Sequence, residues 1–369
     1  MPNINILIKP ASGACNLRCK YCFYADEAMN RSVANYGMMS METIEAVVAR
    51  AMESAERAVT FGFQGGEPTL CGLDFYKNVV RLQKKYAKKG VSVSNAIQTN
   101  GLLIDDEWAA FLAENHFLTG LSVDGYADLH DLHRLDAQGK GSFARVMKAA
   151  QTLEKHKADF NVLTVVTAAA ARKIQRIYAF YRKNNLLWQQ YIPCLDPLVE
   201  ERGHTPYALT PALYASFLKT LFDLWYEDVC AGRFIYIRYF ENLLGMLIGH
   251  PPESCGLSGR CALQFVVEAD GGVYPCDFYV LDQHKMGNVY DHSLMEMAES
   301  KSAQEFLAAP YVHEKCRNCR FFGICRGGCR RDRDLGGEID LNYFCPAYEE
   351  FFEYALPRLM NLARQIGRR

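Results

Sequence analysis

Ile4-Asn5-Ile6-Leu7-Ile8-Lys9-Pro10-Ala11-Ser12-Gly13-Ala14-Cys15-Asn16-Leu17-Arg18-Cys19-Lys20-Tyr21-Cys22 runs from an alternating apolar stretch straight into a C-x3-C-x2-C triplet. The alternation predicts a strand over Ile4–Lys9. Pro10 cannot donate to a strand ladder and ends it, and Gly13 helps the loop fold back. Three thiols on one short loop can cover three corners of a cuboidal [4Fe–4S] cluster, which takes four thiolates when fully ligated. One iron is then left for a ligand that the loop does not supply, the logic that separates catalytic from structural zinc sites. A zinc site with a borrowed fourth ligand is the bland alternative, although no histidine stands nearby at ligand spacing.

Outward from that loop, strand and helix patterns alternate. Strand-like runs recur at Val59–Phe63, Val91–Ile97, Phe117–Val123, Phe160–Val166 and Trp188–Ile192. Helical periodicity falls near Met41–Ala55, Asp74–Lys88, Asp105–Glu114, Ser142–His156 and Ala170–Asn184. Such repetition implies an α/β fold with a parallel sheet and helices outside it. Six units fit a partial (β/α)6 barrel better than a closed eightfold one, and a doubly wound sheet is the runner-up. In a barrel the cysteine triplet sits at the C-terminal end of a strand, where that fold places its chemistry. Two helical stretches, Pro211–Ala231 and Arg238–Ile248, bridge to a region of short elements rich in Cys and Gly. There Val266–Tyr274 reads as a hairpin turning at Asp270-Gly271-Gly272. Phe351–Ile366 is a terminal amphipathic helix. The expected division is 1–235 for the barrel, 236–348 for a small cluster domain and 349–369 for the C-terminal helix.

The chain has 369 residues, 50% of them hydrophobic and 22% charged, with a net charge of −1. No global basic field points to nucleic acid, and Lys84-Lys85 and Lys88-Lys89 read as solvated helix surface. No basic leader is visible, and no run approaches the roughly 18 apolar residues of a membrane span. A cytoplasmic protein is expected, with its thiols reduced. Fourteen cysteines then argue for metal ligation. Beyond the triplet, Cys255, Cys261, Cys276, Cys316, Cys319, Cys325, Cys329 and Cys345 make eight thiols, enough for two fully ligated clusters. Cys316-x2-Cys319-x5-Cys325-x3-Cys329 alone could be a zinc module. Cys71, Cys194 and Cys230 lie in or beside apolar stretches and read as buried packing residues.

Polar loops follow the other strands. Phe63-Gln64-Gly65-Gly66-Glu67-Pro68 lacks side chains where a backbone would approach a ligand, although a lone Gly-Gly is more often a tight turn. Gln98-Thr99-Asn100-Gly101, Ser122-Val123-Asp124-Gly125 and His130-x2-His133-Arg134 face the same end. His130 and His133 read as local hydrogen-bonding residues, and Asp277 as a turn or cap residue beside a cluster ligand.

These residues resemble the radical S-adenosylmethionine (SAM) enzymes, whose C-x3-C-x-aromatic-C motif is matched with Tyr21 as the aromatic. The resemblance implies a cluster on Cys15, Cys19 and Cys22 whose open iron is chelated by SAM. It also implies Tyr21 near adenine, Gly65, Gly66 and Glu67 at the methionyl amine, Ser122 and Arg134 toward the carboxylate and ribose, and Leu195 against adenine. The C-terminal cysteines resemble the SPASM extension, which holds two auxiliary [4Fe–4S] clusters. It implies Cys255, Cys261, Cys276 and Cys329 for the first and Cys316, Cys319, Cys325 and Cys345 for the second, three clusters in all.

Stretches along the whole chain are similar to the anaerobic sulfatase-maturating enzymes. They include Ile8-Lys9-Pro10-Ala11-Ser12, Phe63–Leu70, Cys194-Leu195-Asp196-Pro197-Leu198, Leu224–Asp228, Tyr274-Pro275-Cys276-Asp277-Phe278-Tyr279 and Phe351–Ala355. The spacer from Cys329 to Cys345 is slightly short for that family. This resemblance implies oxidation of a sulfatase cysteine or serine to Cα-formylglycine, through Cβ hydrogen abstraction by a 5′-deoxyadenosyl radical. Asp277 would be the base, Tyr24 and Gln64 would lie near the target side chain, and a low-potential donor would supply the electron. Two other readings stand beside it. One is a SPASM enzyme forming a thioether or carbon–carbon crosslink in a ribosomal peptide; the other is a non-catalytic zinc scaffold.

Overall fold

The computed structural model describes residues 1–198, 201–308, 312–335 and 338–366. Gly336 and Gly337, in the Cys329–Cys345 spacer, lie outside them. The chain divides into two compact units that interleave along the sequence. The first comprises Met1–Val123, His130–Asn161 and Ala262–Ala308; the second comprises Asp124–Leu129, Val162–Cys261 and Ala309–Arg369.

In the first unit, β1 (Asn3–Ile8) buries Ile4, Ile6 and Ile8 and turns Asn3 and Asn5 outward. Each buried isoleucine contributes roughly 1.5–3 kcal/mol. Strands β2 (Ala58–Phe63), β3 (Ser92–Thr99) and β4 (Phe117–Ser122) follow in parallel order, with Ile4 opposite Val59 and Ile8 opposite Phe63. Helices Met41–Ser54, Leu73–Lys85 and Asp106–Glu114 connect them. Ser40 and Asp105 cap the first and last of these, accepting from the backbone N–H groups of Thr43 and Trp108.

In the second unit, the Val162–Val166 part of β5 (Phe160–Val166), β6 (Trp188–Pro193) and β7 (Tyr236–Ile237) are again parallel and in chain order. Neither run shows the order reversal that defines a doubly wound sheet. The terminal helix starts at Cys345, before the expected Phe351, because Asn342 Oδ1 accepts the Phe344 N–H and Pro346 suits a first helical turn. It packs against helices Pro211–Cys230 and Arg238–Leu247, with the Phe351 ring 6.0 Å from Phe222 and 5.9 Å from Phe240. The expected Ala170–Asn184 helix is two helices, Ala168–Ala171 capped by Thr167, and Ile174–Lys183.

The 262–308 segment returns to the first unit. β8 (Val266–Val267) lies parallel to β1, opposite Leu7 and Ile8, and β9 (Gly272–Tyr274) pairs antiparallel with β8. β10 (Gly287–Asn288) pairs with β9. Gly271 takes φ +84° at the turn, a conformation open to Gly at little cost. Asp277, three residues past β9, is thereby set beside the end of β1.

Candidate active site

Cys15, Cys19 and Cys22 are half-buried on the loop after β1. That loop is pinned by its backbone: Arg18 N–H donates to Leu135 O at 2.6 Å, Lys20 N–H to His133 O at 3.1 Å and Cys22 N–H to Cys19 O at 3.2 Å. Cys22 precedes helix Phe23–Met29, which the sequence patterns missed. Burial pushes the Cys15 thiol up to about 11, so a thiolate there calls for a positive partner. Three cysteines on one loop, with Cys22 near enough to act on the charge of Cys15, are a donor set whose chemistry fits an iron–sulfur cluster.

The Gly65-Gly66-Glu67 loop after β2 packs backbone to backbone on this one. Gly66 N–H donates to Ser12 O at 2.9 Å and Glu67 N–H to Ala14 O at 2.8 Å. A Cβ on Gly66 would stand 2.0 Å from Ala14 O, so only glycine fits. The buried Glu67 carboxylate is fully used within the protein. Its Oε1 accepts from Thr69 N–H (3.0 Å), Thr69 Oγ1 (2.6 Å) and Thr99 Oγ1 (2.7 Å), and its Oε2 from Asn100 N–H (2.8 Å). Burial nevertheless raises its pKa, with those donors opposing.

Asp277 is brought together with Tyr24 and Gln64, the two residues expected near the target side chain. Tyr24 Oη donates to its Oδ2 at 2.8 Å and Gln64 Nε2 to the same oxygen at 2.6 Å. Its Oδ1 is buried and meets no hydrogen-bond partner among the described residues. Burial raises the Asp277 pKa, while Lys9, Tyr24 and Gln64 oppose the rise. Asp277 opens a short 3-10 turn, so the turn-residue reading holds for its backbone while its side chain enters the polar cluster.

Sequence reasoning missed the charges beneath that cluster. Lys9 Nζ stands 3.5 Å from both Glu27 Oε2 and Glu268 Oε1 and 4.7 Å from the Tyr24 ring centroid. Arg31 Nη1 donates to Glu268 Oε1 at 2.6 Å. All four side chains are buried. Burial opposes the Lys9 ammonium, but Glu27, Glu268 and Asp277 outweigh it and raise its pKa. Burial raises Glu27, whereas Lys9 and Arg31 overcome burial at Glu268 and lower it. The available signal was a lysine ending an apolar strand where continued alternation called for solvent.

Tyr21 is buried, its ring edge-on to His133 at 5.6 Å and 5.6 Å from the Arg134 guanidinium. His130 Nε2 bonds Ser142 Oγ at 3.0 Å, a local role as expected. Ser122 is buried at the end of β4. Leu195 belongs to the second unit, half-buried after β6, where the next residue's carbonyl, Asp196 O, accepts from Arg331 Nη2 at 2.9 Å.

The second cysteine group sorts into two neighbourhoods. Cys329 is raised by burial, with Asp332, Cys255 and Cys261 adding to it. Cys325 is pushed up to about 11 by burial, with Cys345, Cys316 and Cys319 adding. These seven lie in the second unit and Cys276 in the first. Of the three remaining cysteines only Cys194 is buried. Cys71 is half-buried, its thiol 3.6 Å from Met38 Sδ, and Cys230 is exposed at a helix end, which corrects the packing assignment for both.

The model of the radical SAM superfamily matches residues 10–169, and that of an iron–sulfur cluster-binding domain, SPASM, matches 259–320. A cysteine-type anaerobic sulfatase-maturating enzyme of Clostridium perfringens is 48% identical over 99% of this chain and 100% of its own length. A serine-type enzyme of Bacteroides thetaiotaomicron is 33% identical over 98% of this chain and 91% of its own. The structure of native anSMEcpe with bound AdoMet and Cp18Cys peptide superposes with a TM-score of 0.95 at 47% identity, over 99% of this chain and 100% of that one. Streptococcus suis SuiB bound to precursor peptide SuiA shares the fold, with a TM-score of 0.67 at 18% identity over 93% of this chain and 76% of that one.

Proposed function

This chain belongs to the anaerobic sulfatase-maturating enzymes of the radical SAM superfamily, and from that premise we propose that it oxidises a cysteine in a sulfatase segment to Cα-formylglycine. The observation that carries the reading is Asp277, whose Oδ2 is held by Tyr24 and Gln64 while buried Oδ1 meets no partner among the described residues. An acceptor fixed on one oxygen and open on the other suits a thiol or hydroxyl proton.

A [4Fe–4S] cluster held by Cys15, Cys19 and Cys22, with SAM on its open iron, would supply the radical chemistry that removes the Cβ hydrogen. The chain's residues do the rest. Cys15, Cys19 and Cys22 hold the cluster, and Gly65 and Gly66 give the nucleotide's methionyl end a backbone to lie against. Glu67, its carboxylate committed to Thr69, Thr99 and Asn100, fixes the shape of that loop. Tyr21, Ser122, Arg134 and Leu195 complete the nucleotide's surroundings. Tyr24 and Gln64 orient Asp277 toward the target side chain, and Asp277 takes its proton. Once the Cβ hydrogen and the thiol proton have left, the one remaining electron would pass to an auxiliary cluster held by the C-terminal cysteines, and water would convert the thioaldehyde to the aldehyde with release of hydrogen sulfide.

We assign Cys255, Cys261, Cys276 and Cys329 to one auxiliary cluster and Cys316, Cys319, Cys325 and Cys345 to the other; the two thiol neighbourhoods of the second unit support this. The functional division is 1–235, 236–348 and 349–369. The partners are a sulfatase polypeptide and a low-potential electron donor. No described helix is long and apolar enough to cross a membrane, and the reading places the protein in the cytoplasm, away from nucleic acid.

Identity to the cysteine-type relatives, 44–48%, exceeds that to the serine-type ones, 30–33%, and favours a cysteine target. The relatives favour neither the crosslinking reading nor the zinc scaffold. The test is an anaerobic assay with paired Cys- and Ser-containing sulfatase peptides, following 5′-deoxyadenosine and aldehyde. Faster aldehyde formation from the cysteine peptide is expected. Nucleotide cleavage with no aldehyde from either peptide would remove the maturase reading.

A further inference from the structure

Asn100 stands between the Gly-Gly-Glu loop and the first cysteine of the triplet. Its backbone N–H donates to Glu67 Oε2 at 2.8 Å. Its side chain is buried, and every polar atom on it is committed. Oδ1 accepts the Leu102 N–H at 3.0 Å, while Nδ2 donates to Asn16 Oδ1 at 2.7 Å and to Cys15 Sγ at 3.8 Å. The amide orientation follows from the backbone. The Leu102 N–H can only donate, so the oxygen must face it and the NH2 must face Asn16 and Cys15. Cys15 Sγ also receives the Leu17 N–H at 3.3 Å.

A hydrogen bond to a ligating sulfur withdraws charge from the thiolate. It stabilises the more negative, reduced cluster and so raises its reduction potential. We propose that Asn100 is a positioning residue that sets the reduction potential of the cluster on Cys15, Cys19 and Cys22 through its amide contact with the Cys15 sulfur. This rests on the reading of the triplet given above. Glu67 acts one step behind it, since its Oε2 anchors the Asn100 backbone and thus the reach of the amide toward the sulfur.

The experiment is an anaerobic redox titration of wild type, Asn100→Ser and Asn100→Asp, followed by electron paramagnetic resonance. The signal to follow is the one that changes when SAM is added. Both substitutions keep an oxygen able to accept the Leu102 N–H, and both delete the Nδ2 donor. Iron per chain should stay at the wild-type level. The midpoint should move to a more negative potential in both variants, further in Asn100→Asp because that change also adds a negative charge beside the thiolate. Wild-type potentials in both variants would overturn the proposal. So would loss of the SAM-responsive signal in both, because Asn100 would then build the loop without tuning the metal. A wild-type protein with no SAM-responsive cluster would instead defeat the reading of the triplet itself.

Discussion

Tyr24 and Asp277, separated by 253 positions in the chain, share a hydrogen bond of 2.8 Å. With Gln64 donating to the same oxygen, two side chains restrain one carboxylate, and its other oxygen alone is left for chemistry. Asp277→Asn keeps the shape and removes the acceptor charge. Formylglycine formation should fall by about 10²–10⁴-fold, the usual worth of a positioned general base. Cluster content and SAM cleavage should persist, so the ratio of 5′-deoxyadenosine to aldehyde should rise by a similar factor.

Glu27 and Glu268 flank the same lysine yet should respond oppositely to amidation. Burial holds Glu27 above its ordinary 4.5, so glutamine mimics its protonated form and Glu27→Gln should cost under about 1 kcal/mol at neutral pH. Glu268 is held ionised by Lys9 and Arg31, and Glu268→Gln removes the charge that these two buried cations share, at a cost of about 3–5 kcal/mol. Anaerobic denaturant unfolding measures both.

The pH dependence separates the two further. A carboxylate raised in the fold binds its proton more tightly when folded. The Glu27 contribution is therefore present below 4.5 and declines as pH rises through the raised value. Glu268, lowered in the fold, contributes above 4.5 and loses that contribution as pH falls through its depressed value. Glu27→Gln should remove the Glu27 share of the loss of stability toward alkaline pH and leave the Glu268-dependent acid side unchanged.

Gly66→Ala should be disabling for a steric reason alone. The new Cβ would stand 2.0 Å from Ala14 O, so the loop carrying Cys15 must move. SAM affinity and the SAM-responsive cluster signal should both drop. Gly245→Ala, in helix Arg238–Leu247 with nothing nearer than the His250 Cβ at 3.9 Å, should instead stabilise by about 0.5–1 kcal/mol.

The ligand partition can be counted in iron. Each [4Fe–4S] cluster carries four irons, about twelve for the three. Cys255→Ser/Cys329→Ser should lose about four, because both serve one cluster, and Cys325→Ser/Cys329→Ser about eight. Equal losses in the two double variants would break the proposed interleaving.

The strand–helix rhythm was legible because apolar periodicity reports directly on a parallel sheet and its covering helices. The cysteine triplet and Gly65-Gly66 were legible because their spacing is the chemistry. The grouping of Cys329 with Cys255 and Cys261 was not, since contacts between distant segments leave no local pattern; there the family resemblance supplied what spacing could not. The same holds for the return of Val266–Val267 to the flank of β1 and for the Lys9–Glu27–Glu268–Arg31 cluster. Ionisable residues in a half-apolar setting look like surface until their partners are seen. Helix Phe23–Met29 escaped because at that length no periodicity builds up.

The lodging of β8 against β1 has a consequence for biosynthesis. The first strand leaves the ribosome with one flank bare, and its cover is translated only after Val266 and Val267. Through most of elongation, Leu7 and Ile8 present an unpaired ladder edge, the kind that recruits neighbouring chains. A nascent polypeptide stalled or truncated ahead of that point therefore carries every cysteine of the N-terminal triplet on a scaffold still open at its margin, which makes such fragments prone to self-association.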